Sequence, residues 1–453
     1  MNIAASAAQA KHILHTAKQL NTLADRCVKC GMCLPHCPTY YLTRDESESP
    51  RGRIALIQGL TGGQLAYSEK LGAHLQNCLK CRACERVCPS LVPYGELIDS
   101  ALTYIAREVA PQPARSAGCT NVAGAEMHRS DRQLRLLDLV TQHTTLRTLA
   151  KLLRIYQRSG LRALLRGSGL LKVLGLARHD RLLPSLHPAH TWQAYYPAQN
   201  TVRGEVALFT GCIADAFDQA TSRSAIQVLT LLGYGVHVPP AQRCCGALHL
   251  HNQQPEQASA LAQENLTAFG ALDVQAIIST ASGCGATLKE YAALNLGADG
   301  FTRKVVDVSA FIASVKWPEN VTLKPLAARV AVHDPCSLTH VLRQHEQPYA
   351  LLRKIPDLEL VSLPDRARCC GAAGSYMLTH PTQADTLRDE KLANIEQLDT
   401  RILVTSNIGC ALHLAAGLRA KNLSIEVMHP ITLLAQQVIQ ARQQREQSAT
   451  VDR

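Results

Sequence analysis

Short apolar runs alternate with longer amphipathic stretches through the second half of this 453-residue chain. Amphipathic spacing over 220–232 and 255–269 predicts helices between the runs. Short runs rich in Val, Ile and Leu predict strands, and the alternation predicts a parallel α/β sheet covered by helices. The four clearest runs each end in cysteine: EVALFTGC (205–212), AIISTASGC (276–284), VAVHDPC (330–336) and RILVTSNIGC (401–410). Because loops at the carboxyl ends of parallel strands form the binding crevice, we expect these cysteines to gather at one sheet edge.

The cysteines of this half show an internal duplication. Each copy has a single cysteine, then a Cys-Cys-Gly triplet, then a last cysteine, separated by 32 and 39 residues in the first copy and by 33 and 40 in the second. Matched spacing of this kind indicates two copies of one structural unit. We expect each copy to hold an iron-sulfur cluster or another metal; redox-active thiols and buried structural cysteines are the alternatives. The candidate ligands are Cys212, Cys244, Cys245 and Cys284 in the first copy, and Cys336, Cys369, Cys370 and Cys410 in the second.

Eight further cysteines form two copies of the spacing C-x2-C-x2-C-x3-C-P, starting at Cys27 and at Cys78. This is the run of bacterial two-cluster ferredoxins, in which the fourth cysteine of each run ligates the other cluster. A zinc site is the alternative, but structural zinc commonly uses two separated C-x2-C pairs. We also expect a helix to begin near the last cysteine of each run. The spacing therefore predicts one [4Fe-4S] cluster on Cys27, Cys30, Cys33 and Cys88, and a second on Cys78, Cys81, Cys84 and Cys37.

Composition and charge narrow the function classes. The 17 cysteines, in a chain whose amino terminus lacks a secretory signal pattern, predict a cytoplasmic metalloprotein rather than a secreted disulfide scaffold. Cys119 belongs to neither group and is read as a free thiol. The net charge of +11 is concentrated between Arg129 and Arg181, where 12 basic residues face 3 acidic ones. That segment predicts a basic helical connector that packs on its own domains or docks on a partner or an anionic membrane face. Nucleic acid is not expected as a partner, because aromatic residues for stacking are few and no groove-reading motif is visible.

Two arginines between the ferredoxin runs leave two interpretations open. Ser49 is predicted to cap a helix whose first residue is Pro50. Arg51 and Arg53 are then either solvated residues of the first helical turn or charges that favour the reduced state of a nearby cluster. The histidines beside the Cys-Cys-Gly elements are expected to be structural rather than ligands.

Several long motifs resemble the iron-sulfur subunit family of bacterial glycolate oxidase (glycolate dehydrogenase). They are CVKCGMCLPHCPTY (27–40), SPRGRI (49–54), TASGCGA (280–286), KEY (289–291), CCGAAGSYMLTHP (369–381), LRDEKLANIE (387–396) and TSNIGC (405–410). The duplicated copies are more distantly similar to the cysteine-rich CCG domains of heterodisulfide reductase. That wider pattern has a further cysteine where this chain has Ala281 and Asn407.

The resemblance implies an electron-transfer subunit of a glycolate or D-lactate dehydrogenase. It implies partner subunits that carry FAD and oxidise the 2-hydroxy acid, with a quinone or another carrier as acceptor. This chain shows no dinucleotide-binding or phosphate-loop pattern, so no catalytic residue is assigned in it. The alternative function is a heterodisulfide-reductase-like thiol/disulfide enzyme. The implied location is the cytoplasm, with peripheral contact at the cytoplasmic face of the inner membrane.

The predicted fold class is therefore a multidomain α+β protein. Its parts are an α-helical two-[4Fe-4S] ferredoxin-like domain, a helical connector and two duplicated α/β CCG domains with parallel sheets. The predicted boundaries are 1–110, 111–203, 204–325 and 326–453.

Overall fold

A computed structural model describes residues 15–109, 141–186, 188–294, 296–366 and 368–438. Cys119 lies outside these ranges. Within them, no helix combines the length and apolarity needed to cross a bilayer.

The amino-terminal region is helical and has an apolar core of its own, in which Leu20, Leu75 and Leu97 are fully buried. The predicted cap is confirmed: Ser49 Oγ accepts a hydrogen bond from the backbone N of Gly52 at 3.0 Å, and Pro50 is the first helical residue. The α-helices of this region are Ala17–Ala24, Pro38–Thr43, Pro50–Thr61, Glu69–Gln76, Ala83–Arg86 and Tyr94–Tyr104. A π-helical turn over Ile105–Val109 extends the last of them, and short 3₁₀ turns cover Leu34–His36 and Glu46–Glu48.

The described part of the connector is helical, as predicted, and lies across both duplicated units. Its helices are His143–Arg158, Leu161–Gly167, Leu170–Val173 and Ala177–Leu182. Arg147 Nε donates to Asp215 Oδ2 of the first unit at 2.7 Å. Arg178 Nη2 donates to the backbone O of Met377 in the second unit at 2.9 Å. The connector therefore packs on its own domains, the first of the three roles considered for it.

Each duplicated unit is built on a mainly parallel sheet, as the strand pattern predicted. The first sheet contains β1 (Tyr195–Tyr196), β2 (Gly204–Phe209), β3 (Tyr234–His237), β4 (Ala276–Ser279) and β5 (Val305–Asp307), in the order β1-β3-β2-β4-β5. The second contains β6 (Ala328–His333), β7 (Leu358–Ser362), β8 (Ile402–Thr405) and β9 (Glu426–Met428), in the order β7-β6-β8-β9. The four strands of the second sheet are arranged like β3, β2, β4 and β5 of the first sheet. All neighbouring strands in these two sets of four are parallel.

Strand β1 departs from the purely parallel arrangement. It pairs antiparallel with β3, and Tyr195 lies opposite His237. The strand falls inside the segment predicted as connector, so the chain joins the first sheet before residue 204.

Helices cover both sheets. Those of the first unit are Ile213–Phe217, Gln219–Leu231, Ala247–His251, Pro255–Gly270, Ser282–Lys289, Asp299–Lys304 and Val308–Ser314, with a 3₁₀ turn at Glu290–Leu294. Those of the second are Gln347–Leu352, Tyr376–Thr379, Pro381–Glu396 and Ile408–Ala420, with a π-helical segment at Ser337–Leu342.

The two units pack against each other as one body. A single apolar cluster includes Val206 and Ile278 of the first sheet and Val330 and Val404 of the second, all 0% exposed. At the seam, the backbone N of Ser282 donates to Ser406 O at 2.9 Å. The shared core fixes how the two cysteine sets are oriented relative to each other.

Candidate iron-sulfur and thiol sites

The first predicted set of ferredoxin-type cysteines lines one cleft. Cys27, Cys30, Cys33 and Cys88 surround it, so one cysteine comes from the second run. Cys30 is exposed, whereas the other three are partly buried. Burial raises the pKa of Cys33 to about 11. A metal cluster binds the thiolate form, so its binding would have to offset the free energy of deprotonating this buried thiol.

The second predicted set lines a neighbouring cavity that is more deeply buried. Its thiols are Cys37, Cys78, Cys81 and Cys84, and Cys84 also lines the first cleft. Burial raises the pKa of Cys81 well above its ordinary value, and the nearby thiol of Cys336 raises it further. The two cavities are thus adjacent and share Cys84, and each is lined by cysteines of both runs.

Local backbone geometry explains why both runs bend around a cavity. The residue before the second cysteine is left-handed in each run: φ is +56° at Lys29 and +51° at Lys80. The residue after that cysteine is left-handed as well, with φ of +84° at Gly31 and +61° at Arg82. These turns bring successive thiols toward one point, and in the second run the Lys80 amide donates to Cys78 Sγ at 3.4 Å.

The expected helix after each run forms at only one of them. After Cys37 a helix begins directly at Pro38, whereas after Cys88 the next helix begins at Tyr94. A turn at Pro89 and Ser90 follows Cys88 instead, so the prediction of a helix near the last cysteine was wrong for the second run.

The two arginines between the runs have different roles. Arg53 is 0% exposed, and its guanidinium donates to Glu48 Oε2 at 2.5 Å, to Thr39 Oγ1 at 3.0 Å and to His74 O at 2.7 Å. Thr39 Oγ1 in turn lies 3.3 Å from Cys37 Sγ. Arg53 is therefore a buried cation that is linked to a thiol of the second cavity through the hydroxyl of Thr39.

Arg51, by contrast, keeps a third of its side chain exposed. It pairs with Glu46 at 2.6 Å and lines the first cleft. The interpretation as a solvated residue of the first helical turn thus fits Arg51 better than Arg53.

The first Cys-Cys-Gly unit gathers its four cysteines near the ends of β2 and β4. Cys212 Sγ lies 3.3 Å from Cys244 Sγ. Hydrogen bonds from Cys244 and Cys284 lower the pKa of the Cys245 thiol well below its ordinary value. The four residues therefore favour at least one buried thiolate, the form that binds metals.

The second unit repeats this arrangement. Cys336 Sγ lies 4.0 Å from Cys369 Sγ. Hydrogen bonds from Cys369 and Cys410 lower the pKa of Cys370, and His333 lowers it further. All eight predicted cysteines of the duplicated units thus lie in two matching sets.

The glycine of each triplet is required by the backbone. Gly246 and Gly371 have φ of +87° and +88°, a region that side chains with a Cβ rarely adopt. A Cβ on Gly371 would lie 2.5 Å from the backbone O of Ala384. Glycine therefore lets the cysteine pair approach the helix Pro381–Glu396 closely.

Ala281 and Asn407, which replace cysteines of the wider CCG pattern, are the N-cap residues of two equivalent helices. Asn407 Oδ1 accepts from the Gly409 amide at 3.0 Å, and its Nδ2 donates to Ser337 Oγ at 3.3 Å. Asn407 thus caps a helix and forms a hydrogen bond with Ser337. Neither Ala281 nor Asn407 supplies a further thiol.

Most histidines near the thiols have structural partners, as expected. His249 lies between Gln254 Oε1 and Thr141 Oγ1, and His413 Nε2 contacts the backbone O of Ala384. His333 differs, because a ring nitrogen lies close to Cys370 and Cys410. Sequence reasoning gave it no special role, although aligning the two units by their cysteines places it opposite Phe209.

The second cavity is packed against the second unit. Cys81, Cys336 and Cys369 belong to one apolar cluster. Across the same boundary, Tyr376 Oη donates to Asn77 Oδ1 at 2.6 Å. The two kinds of cysteine site therefore form one continuous buried region.

Family comparisons match four segments of the chain. Residues 23–92 match the family described as "4Fe-4S dicluster domain", and residues 206–289 and 330–415 match "Cysteine-rich domain". Residues 132–183 match "Glycolate oxidase iron-sulfur subunit, linker region". These matches and the sheets confirm the predicted combination of a helical ferredoxin-like region with two CCG domains.

Two relatives are similar over nearly their full length. The "Probable glycolate oxidase iron-sulfur subunit" of Bacillus subtilis is 33% identical over 90% of this chain and 92% of the relative. The "Glycolate oxidase iron-sulfur subunit" of Escherichia coli is 32% identical over 88% and 92%, respectively. "Lactate utilization protein A" of a Geobacillus strain is 28% identical over 50% of this chain and 96% of the relative. The chain is thus an iron-sulfur electron-transfer subunit, and it belongs to the glycolate oxidase iron-sulfur subunit family.

Proposed function

We propose that this chain accepts electrons from a flavoprotein subunit that oxidises glycolate to glyoxylate, or D-lactate in the same manner, and passes them to a quinone or another acceptor. The observation that carries the proposal is the pair of adjacent cavities, each lined by cysteines of both ferredoxin runs, with Cys88 in the first and Cys37 in the second. Bound [4Fe-4S] clusters would supply one-electron steps that divide the electron pair of a reduced flavin. The FAD and the pocket for the 2-hydroxy acid belong to partner chains in this proposal.

The eight ferredoxin-type cysteines are assigned as cluster ligands in the two crosswise sets. The donor chemistry fits, because these clusters are held by four cysteine thiolates. We assign the eight cysteines of the CCG units to a further cluster or metal in each unit. Buried thiol sets with one depressed pKa support that assignment.

The first cleft offers a docking face for the flavoprotein. Val28 and Leu91 are 69% and 76% exposed, and Met32 is 56% exposed. Val28 and Met32 line the cleft itself, next to the exposed Cys30. Exposed apolar residues grouped around a redox site are typical of a protein-protein contact.

We expect V28Q/L91Q to weaken the complex with the flavoprotein subunit about tenfold or more, because two apolar side chains would no longer be buried well at the contact. The flavoprotein subunit and the variant chain are purified anaerobically and mixed at increasing concentrations of the variant chain. Glycolate is then added, and bleaching of the visible iron-sulfur absorption is measured. Full bleaching should return at high concentration, since the variant still contains its iron.

The matched control is V202Q, because Val202 is also 69% exposed but lies outside the cleft. The V202Q chain should bind the flavoprotein subunit as tightly as the unmodified chain does. Equal affinity of V28Q/L91Q and V202Q would rule out this docking face. Failure of glycolate to reduce the iron centres in the unmodified complex would contradict the proposed function itself.

The connector supports a second contact, at an anionic membrane surface. Nine of the sixteen large apolar residues that are exposed in the described ranges lie between Leu149 and Leu176. Lys151, Arg158 and Lys172 are exposed among them. Apolar side chains mixed with basic ones suit peripheral binding to anionic lipid, which would bring the chain to a quinone pool at the cytoplasmic face of the inner membrane.

A further inference from the structure

His333 lies at the centre of a ligand set that the ferredoxin chemistry does not use. One of its ring nitrogens and the Sγ atoms of Cys370 and Cys410 all lie within 4.8 Å of one another. His333, Cys370 and Cys410 are 2%, 1% and 5% exposed. Across the described residues, this is the one set of three His, Cys, Asp or Glu side chains found this close together.

The hydrogen bonds of His333 leave a nitrogen available toward the thiols. Its Nδ1 lies 2.9 Å from Thr405 Oγ1. Its buried Nε2 has no hydrogen-bond partner at ordinary geometry in the described structure, although the ring lies close enough to Cys370 to lower the pKa of that thiol. If Nδ1 carries the proton and donates it to Thr405, Nε2 presents a lone pair, which is the tautomer that binds metals. A buried nitrogen without a partner is costly unless something binds it.

The first unit lacks this ligand at the equivalent position. Phe209 ends β2 and pairs with Ser279, as His333 ends β6 and pairs with Thr405. The phenylalanine is packed in an apolar cluster with Cys212, Cys244 and Cys245. The two units therefore differ by one nitrogen donor, although their cysteines match.

The separation and the chemical type of the ligand atoms of His333, Cys370 and Cys410 both favour a single metal ion over an iron-sulfur cluster. Metal-ligand bonds of 2.0–2.3 Å place the ligands of a tetrahedral ion about 3.7 Å apart, and the three ligand atoms here lie within 4.8 Å of one another. Thiolates combined with one imidazole are typical of zinc. An imidazole in place of a fourth thiolate also leaves less negative charge to bury.

We propose that the second CCG unit binds a single zinc ion through His333 Nε2, Cys370, Cys410 and one thiolate of the neighbouring pair Cys336 and Cys369. This inference rests on the proposed assignment of the CCG thiols as metal ligands, and it specifies the metal and a nitrogen ligand for one unit. The bound thiols lose their protons to solvent when the ion enters.

The test is elemental analysis and zinc-edge X-ray absorption of the full chain, purified anaerobically. We expect about one zinc per chain, with one nitrogen at about 2.0 Å and three sulfurs at about 2.3 Å. H333A should lose nearly all of the zinc. H333C should keep it with sulfur ligands alone, because cysteine also binds zinc in tetrahedral sites.

H413Q is the matched control, since His413 is another buried histidine of the same unit and its Nε2 contacts a backbone carbonyl. It should keep both zinc and the nitrogen signal. Zinc-free wild-type protein, zinc without a nitrogen ligand, or full zinc in H333A would each overturn the inference. Iron measured in the same samples separates the outcomes: about eight irons without zinc would reject this site alone, whereas low iron would reject the proposed function.

Discussion

We expect C88A to remove the cluster proposed on Cys27, Cys30 and Cys33, although Cys88 belongs to the second cysteine run. Cys88 lies in the second run by sequence but lines the first cleft with Cys27, Cys30 and Cys33. The variant should therefore lose, or convert to a three-iron form, the same cluster that C30A affects, and iron should fall from about eight toward about four per chain. EPR spectra of the reduced variants provide the comparison: the spectrum of C88A should match that of C30A and differ from that of C81A.

The reciprocal variant completes the design. C37A should match C81A, because Cys37 lines the second cavity with Cys78, Cys81 and Cys84. C119S, outside both sets, should keep all of the iron. If C88A instead resembled C81A, each run would hold its own cluster and the crosswise assignment would be wrong.

R53M should strongly destabilise the amino-terminal region. The substitution leaves the buried carboxylate of Glu48 without its guanidinium partner and with only His74 and Asn77 in contact, and breaking a buried ion pair costs about 3–5 kcal/mol of stability. The cluster proposed on Cys37, Cys78, Cys81 and Cys84 should also have a lower reduction potential, because the lost cation favoured the more negative, reduced state. Anaerobic calorimetry measures the stability, and an EPR-monitored redox titration measures the potential.

Two variants separate charge from packing in that result. R51M removes an arginine that is one third exposed and whose pair with Glu46 is at the surface, so it should lower the free energy of unfolding by no more than about 1 kcal/mol. E48Q/R53M removes both buried charges and should recover part of the stability. An R53M protein as stable as R51M would contradict the structural role given to Arg53.

The features that depend on residues near one another in the sequence were predicted best. The C-x2-C turns are local, so their spacing indicated both thiol sets before any packing was known. The duplicated strands were visible because β2 and β6 are continuous apolar runs that end at a cysteine. Strand β1 was missed, since the two residues Tyr195 and Tyr196 are too short to produce a periodic pattern and join the sheet only by tertiary pairing.

Other features depended on partners far away in sequence. The sequence could not separate Arg51 from Arg53, because the burial of Arg53 is determined by His74 and Glu48 around it. The helix expected after Cys88 begins only at Tyr94, since a turn at Pro89 and Ser90 comes first. The position of His333 could have been found by aligning the two units, which shows a histidine where the first has Phe209.

Iron and acid-labile sulfide content, together with EPR of the dithionite-reduced full chain, is the most direct test of the two-cluster assignment. We predict at least about eight irons and eight sulfides per chain, with signals from two neighbouring, magnetically interacting [4Fe-4S] clusters. About four irons and the signal of a single isolated cluster, or a colourless protein that holds only zinc, would contradict it.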